Sequence, residues 1–365
     1  EMKEWSKVEE ASDQALVLDP DFGSALAMKG QSYLETGKLE DAGRLLSRAT
    51  LLAPEEAETW LQLARFYVRL SNHQRALETL RAAVLALPSS ASVNFALARE
   101  CLENGLTSDA LPFLRQAASL DSTSVEIAIN LGRTLCVLGH VDEALRLIEQ
   151  ARSRWPQHPD LAFTHAQAAL ASNNRDVALK ALEIALESGN AEFDWYILFA
   201  RTVLGKDLFR PTSTGTDASW VIKAEQALDK ALAIQPDGYE THLLRAEVIL
   251  RKGYEEQAYL LFEKLMERPE FHAAEFRWRV QAGLGQVSLA LHRYESALAS
   301  LQEAIQEQPE NVRLQHLLAC AYSLSTLGQQ AQNTARNALK LAPDDLENLT
   351  WFSDFMAQAG EFGEA

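Results

Sequence analysis

Proline and glycine are scarce in this chain, 11 and 17 of 365 residues, and runs of Val, Ile and Thr at strand spacing are missing. With Ala and Leu dominant, that balance excludes a strand-rich architecture and predicts an all-α protein. Three cysteines, Cys101, Cys136 and Cys320, cannot all pair and stand at no metal-ligand spacing. They exclude a disulfide scaffold and point to a reduced, cytoplasmic setting. No apolar run reaches transmembrane length and there is no signal-peptide core, so no membrane insertion is expected. Basic residues are in deficit, giving a net charge of −17. A general nucleic-acid surface needs clustered Lys and Arg and is therefore not expected; a basic or weakly charged partner fits the global field better.

Signatures of catalysis are missing as well. Gly283-Leu284-Gly285 lacks the third glycine of a dinucleotide fingerprint and follows no strand, so close helix packing is its expected role. Gly205-Lys206 has neither the upstream glycine nor the following Ser or Thr of a phosphate loop. The eight histidines are scattered, and Pro159 prevents His158 and His165 from sharing one helix face as a metal pair. Asn348-Leu349-Thr350 has the form of a glycosylation acceptor but falls inside a predicted helix, where it counts as a chance match. Neither an enzyme nor a cofactor or metal protein is expected.

What is present is a repeat. Pro20, Pro54 and Pro88 are 34 residues apart, and the step continues through Ser122, Pro156 and Asn190. After a break comes Pro236, and after another Pro309 and Pro343. Twelve residues before each closing residue, or close to it, stands a small one: Ala42, Ala76, Ala110, Ala144, Ala178, Ala224, Ala258, Ala297, Ala331. Seven residues on, most units repeat the choice, from Ala49 and Ala83 to Ala304 and Ala338. A third small position reads Gly30, Ala64, Ala98, Gly132, Ala166, Ala200, Ala246, Gly285, Ala319. Three small residues among large apolar ones are what two closely packed antiparallel helices require. Gly37, Ser71, Gly105, Gly139, Asn173 and Gly253 fall where the first helix must end, and Gly and Asn tolerate the left-handed conformation of such an end.

The unit from Ala57 to Ser90, with Trp60, Leu63, Ala64, Tyr67, Ala76, Leu80, Ala83 and Pro88, resembles a tetratricopeptide repeat at every signature position. The resemblance covers essentially the whole chain. It implies a right-handed α-solenoid of tandem antiparallel hairpins, about nine full repeats with partial ones at the ends (1–20 and 344–365), as a single domain. Regular repeats run over 21–204 and 221–343. Between them lies a 12-residue insertion, read as a loop over 205–220, and a shorter extension near 269–278 is either a longer connection or an extended helix start. The chain opens inside a second helix and stops where another would begin, so it reads as a segment of a longer array or as one with trimmed ends.

The resemblance implies a concave face lined by first helices that holds an extended or helical segment of a partner. One residue past each third small position the sequence reads Gln31, Arg65, Arg99, Arg133, Gln167, Arg201, Glu247. Neighbouring first helices lie about 10 Å apart, near the roughly 8 Å Debye length of physiological salt. Stacked arginines there repel one another weakly and offer bidentate contacts to carboxylates. The alternative is local pairing, as of Arg99 with Glu103. Four residues earlier stand Leu61, Phe95, Ile129 and Phe163, either an apolar row beside the arginines or packing against the adjacent hairpin. Acids nearer the helix starts, Glu58, Glu126, Asp160, Asp194 and Glu240, are read as structural, favoured by the helix dipole. The family's lysine clamp for chaperone tails and its asparagine ladder have no counterpart here.

The candidate site is therefore Arg65, Arg99, Arg133 and Arg201 with Leu61, Phe95, Ile129 and Phe163, and the expected partner is a protein or peptide bearing acidic and apolar groups. Leu208, Phe209 and Trp220 in the insertion either fold onto the array or offer a separate anchor. The rival readings are a spacer that self-associates through its ends or convex face, and the docking region of an enzyme whose catalytic domain lies elsewhere.

Overall fold

The computed structural model describes residues 2–205 and 216–360. Among the described residues there are twenty α-helices, one short 3-10 turn and no strand. The chain forms two compact units, Glu1–Ala185 and Leu186–Ala365, each a stack of helical hairpins.

In the first unit α1 (Met2–Leu18) is followed by five hairpins. They are α2 and α3 (Gly23–Glu35, Leu39–Leu52), α4 and α5 (Ala57–Arg69, His73–Ala86), α6 and α7 (Ala91–Glu103, Thr107–Leu120), α8 and α9 (Val125–Val137, Val141–Arg154), and α10 and α11 (Pro159–Ala171, Arg175–Glu187). The second unit has α12 and α13 (Phe193–Leu204, Thr216–Ile234), α14 and α15 (Tyr239–Arg251, Glu255–Met266), α16 and α17 (Ala274–Ala290, Tyr294–Glu307), α18 and α19 (Val312–Leu324, Gly328–Leu341), and α20 (Leu346–Gln358).

The repeat residues explain each hairpin. The small residues at all three positions are buried; Ala42, Ala76, Ala98, Ala110, Ala166 and Ala200 have no exposed surface at all. A Cβ built on Gly30 would lie 2.7 Å from Leu46, one on Gly132 3.0 Å from Ile148, and one on Gly285 2.5 Å from Leu301. In each case the large partner sits sixteen residues later, on the second helix of the same hairpin. Leu80, Leu114, Leu182 and Phe262 take the same place opposite Ala64, Ala98, Ala166 and Ala246, and all four are buried. Burial of each such side chain contributes roughly 1.5–3 kcal/mol, so the hairpin interior is a row of small-to-large contacts.

The turns follow the same economy. Gly37, Ser71, Gly105, Gly139, Asn173 and Gly253 all have positive φ, as do His292 and Thr326 at the equivalent place in later hairpins. First helices start on side-chain caps where the sequence offers them: Ser90 accepts from the Val93 amide at 3.4 Å, Ser124 from Ile127 at 3.3 Å and Asn311 from Leu314 at 3.2 Å.

Two sequence readings are revised. The insertion is not a loop as far as Trp220, because α13 begins at Thr216. Val221, Ala224, Leu228 and Ala231 fall at helical spacing and are buried, which draws the preceding residues into the same helix; residues 206–215 lie outside the described residues. The extension near 269–278 takes both forms at once. A 3-10 turn, Pro269–His272, seats Phe271 in the core with Tyr239 and Phe262, and α16 is lengthened to 17 residues.

Gly285→Ala gains about 1 kcal/mol of helix propensity but forces a methyl group into Leu301, which costs roughly 1–3 kcal/mol. The expected outcome is a lower melting midpoint for Gly285→Ala, and an unchanged or higher one for Gly328→Ala, whose Cβ meets nothing within 4 Å. Thermal unfolding followed by circular dichroism checks the pair.

Candidate partner-binding cleft

The first helices α4 and α6 of successive hairpins in the first unit flank a cleft of about 570 Å³. On α4 the residues Leu61, Arg65 and Val68 recur at helical spacing and face it; α6 contributes Phe95, Ala96 and Arg99. Four of the residues expected at the site, Leu61, Arg65, Phe95 and Arg99, therefore line one cavity. The other four do not line it.

Leu61 and Phe95 are half-buried and pack against the core with one face. Their other face is available, so the cleft has an apolar floor. Ile129 and Phe163 are 6% and 8% exposed. The first helix α10 packs on both α8 and α9, which closes the row at that point and corrects the expectation that these two side chains line an open groove.

The arginines differ in what they touch. Arg65 is 3.8 Å from Glu58, with more than half of each side chain exposed; such a pair contributes little and is readily exchanged for another anion. Arg99 is exposed and has no ion pair among the described residues; the pairing with Glu103 expected as its alternative does not form. Arg133 donates from Nε to the Thr164 hydroxyl at 3.3 Å and lies 3.6 Å from Asp160. Arg201 belongs to the second unit, where its Nε donates to Glu240 at 2.7 Å. Of the four, Arg65 and Arg99 line one cavity.

Three acidic residues line this cleft as well. Glu100 is buried, with Oε1 2.9 Å from His73 Nδ1 and 3.0 Å from Asn104 Nδ2. Glu103 and Glu126 stand at its rim. Between residues 51 and 100 five basic and five acidic residues balance, in a chain whose net charge is −17.

The same row in the second unit is closed by its own charges. Glu247, 3% exposed, accepts from Arg279 Nε at 3.0 Å and from a terminal nitrogen at 2.7 Å. Burial pushes its carboxyl above the usual range, against the pull of Arg279. Arg279 also reaches 4.0 Å from Glu240, the acid that holds Arg201. Four charges on three first helices thus satisfy one another. The sequence places Glu247 in the row; its partner Arg279 stands six residues before Gly285, the phase that Glu58, Glu126, Asp160, Asp194 and Glu240 fill with acids in earlier units.

Trp220 lies on α13, half-buried, edge-to-face with Phe199 at 6.1 Å and under Lys223 at 4.7 Å; it packs onto the array. Leu208 and Phe209 lie outside the described residues. Asn348 is 2% exposed and donates to the Ala338 and Ala342 carbonyls, so it offers no acceptor for a glycan. Among the described residues no group of three or more His, Cys, Asp or Glu is placed to hold a metal ion, and no helix is long and apolar enough to cross a membrane.

These features define an all-α helical-hairpin repeat protein. Two family models described as tetratricopeptide repeat match it, one over 27–91 and again over 61–125, the other over 102–153. Residues 27–153 are tetratricopeptide repeats, and the same hairpin pattern recurs in the second unit. No curated protein sequence matches. Among solved structures, Pseudomonas aeruginosa PilF is similar at a TM-score of 0.50 with 19% identity, over 62% of this chain and 98% of its own. A tetratricopeptide repeat protein of Parabacteroides merdae gives 0.45 with 16% identity over 73% and 98%. YrrB, described as a tetratricopeptide protein with an unusual peptide-binding site, gives 0.43 with 21% identity over 49% and 92%.

One buried group of the first unit responds to acid. His165 on α10 is buried, and its Nδ1 lies 2.5 Å from an Arg152 nitrogen. Burial first, then the Arg152 charge, holds the imidazole below its ordinary 6.5, with Glu149 opposing. The unfolded chain takes up this proton as pH falls through that value while the folded chain does not, so stability is lost below it. The melting midpoint is expected to drop between about pH 7 and about pH 5, and His165→Gln, which keeps an acceptor for Arg152, to drop less. An identical drop in both proteins contradicts this.

Proposed function

We propose that the first unit holds a segment of a partner protein in the cleft between α4 and α6. An apolar side chain of that segment rests on Leu61 and Phe95, and its carboxylates meet Arg65 and Arg99. Tetratricopeptide repeats mediate protein–protein interaction. The observation that carries the finer reading is the exposed Arg99, without an ion pair among the described residues and beside the half-exposed ring of Phe95 in one cavity. A guanidinium with no internal acid gains most from an incoming carboxylate, and an aromatic floor supplies the apolar anchor that dominates such contacts. Arg133 and Arg201, already held by Asp160 and Glu240, are spectators in this reading.

Arg65→Glu with Arg99→Glu is expected to reduce partner capture from the source lysate by at least about tenfold, since hydrogen bonds to charged groups are worth roughly 1.5–3 kcal/mol each. Quantitative mass spectrometry of the captured proteins, with the melting midpoint as a control for folding, checks this. Undiminished capture by a folded double variant overturns the site. Light scattering over a concentration series separates the rival self-association reading, in which mass rises with concentration.

A further inference from the structure

The helix α4 has a second lined face. Leu61, Arg65 and Val68 lie together on one side at 100° per residue, and Phe66, Tyr67 and Leu70 fall on the other. That other side is the floor of a separate cleft of about 580 Å³ between α3 and the start of α5. Phe66 and Tyr67 meet edge-to-face there, with ring centroids 5.3 Å apart.

The cleft has a local cause in the sequence. Gly43 stands where the next four second helices carry Leu77, Leu111, Leu145 and Leu179, and three of those leucines are buried. A Cβ on Gly43 would lie 2.7 Å from Phe66. The Phe66 ring takes the volume that those leucines fill in the later hairpins and is itself buried, 7% exposed, which leaves the half-buried Tyr67 and the exposed Leu70 at the cleft surface.

Its rim is basic. Arg44, Arg48 and Arg75 line it against one acid, Glu40. Arg75 lies over the Tyr67 ring at 5.7 Å and has no ion pair among the described residues. Arg44 and Arg48 are paired with Asp41 and Asp21, but every one of these side chains is more than half exposed, so those pairs are weak and exchangeable. Leu51, at the same rim, is 81% exposed. An aromatic floor, an exposed leucine and three arginines, set in a chain of net charge −17, are complementary to an acidic segment carrying an aromatic or aliphatic anchor.

We infer that this outer cleft is a second docking site, for an acidic segment of another protein whose apolar side chain seats on Tyr67, Leu70 and Leu51 while its carboxylates meet Arg48 and Arg75. The chain then holds two segments on opposite faces of α4, and acts as a bridge.

The test uses the full chain and an acetylated, amidated peptide in which Glu alternates with Leu around one photoreactive benzoylphenylalanine. Binding is read by fluorescence anisotropy and the attachment point by mass spectrometry. Crosslinks are expected on residues 43–51 and 66–75, and to persist in Arg65→Glu with Arg99→Glu, which removes the inner cleft. Arg48→Glu with Arg75→Glu is expected to weaken binding at least about tenfold, with the melting midpoint unchanged. Crosslinks confined to Leu61 and Phe95, or binding that both double variants leave unchanged, overturn the site. So does a concentration-dependent mass increase abolished by Arg48→Glu with Arg75→Glu, which makes the occupant a second copy of the chain.

Discussion

Everything in these stacks rests on the contact between one small residue of a first helix and one large residue sixteen positions on. Where the small residue is glycine, the partner's side chain occupies the volume that a Cβ would need: Leu46 against Gly30, Ile148 against Gly132, Leu301 against Gly285. Where it is alanine, the methyl group itself is buried against Leu80, Leu114 or Phe262. This contact sets how closely two helices approach. It thereby fixes which residues of a first helix point to the next hairpin and which point away. The clefts on either side of α4 are consequences of that registration, not of irregular backbone.

The architecture was legible because its constraints are local and repeat. Helix ends follow from Gly37, Gly105, Gly139 and Gly253, and even from Ser71 and Asn173, residue types that tolerate positive φ or sit at the right phase. His292 and Thr326 take the same conformation without advertising it; position in the repeat imposes φ on them against their own preference. The helical start at Thr216 was hidden because Pro211 and the surrounding Gly, Ser and Thr speak for a loop, whereas tertiary burial of Val221 and Ala224 decides for a helix.

The site was half legible. Leu61, Arg65, Phe95 and Arg99, alike in phase, line one cavity. Residue type and phase could not distinguish Phe95, half-exposed, from Phe163, 8% exposed, since both are aromatic at the same phase and differ only in how tightly the adjoining helices close. Charge pairing was equally hidden. Arg133 and Arg99 read alike in sequence, yet Asp160 stands beside one and, among the described residues, no acid pairs with the other. In the second unit Arg201, Glu240, Arg279 and Glu247 neutralise one another across three helices, which leaves that row with little to offer an ionic partner.

The central claim is that the arginine pair and apolar floor between α4 and α6 take up a partner segment. Hydrogen–deuterium exchange of the full chain, alone and with its captured partner, tests it most directly. The account predicts new protection concentrated in residues 57–69 and 91–103. Protection confined to other helices, with these two exchanging as in the free chain, would contradict it.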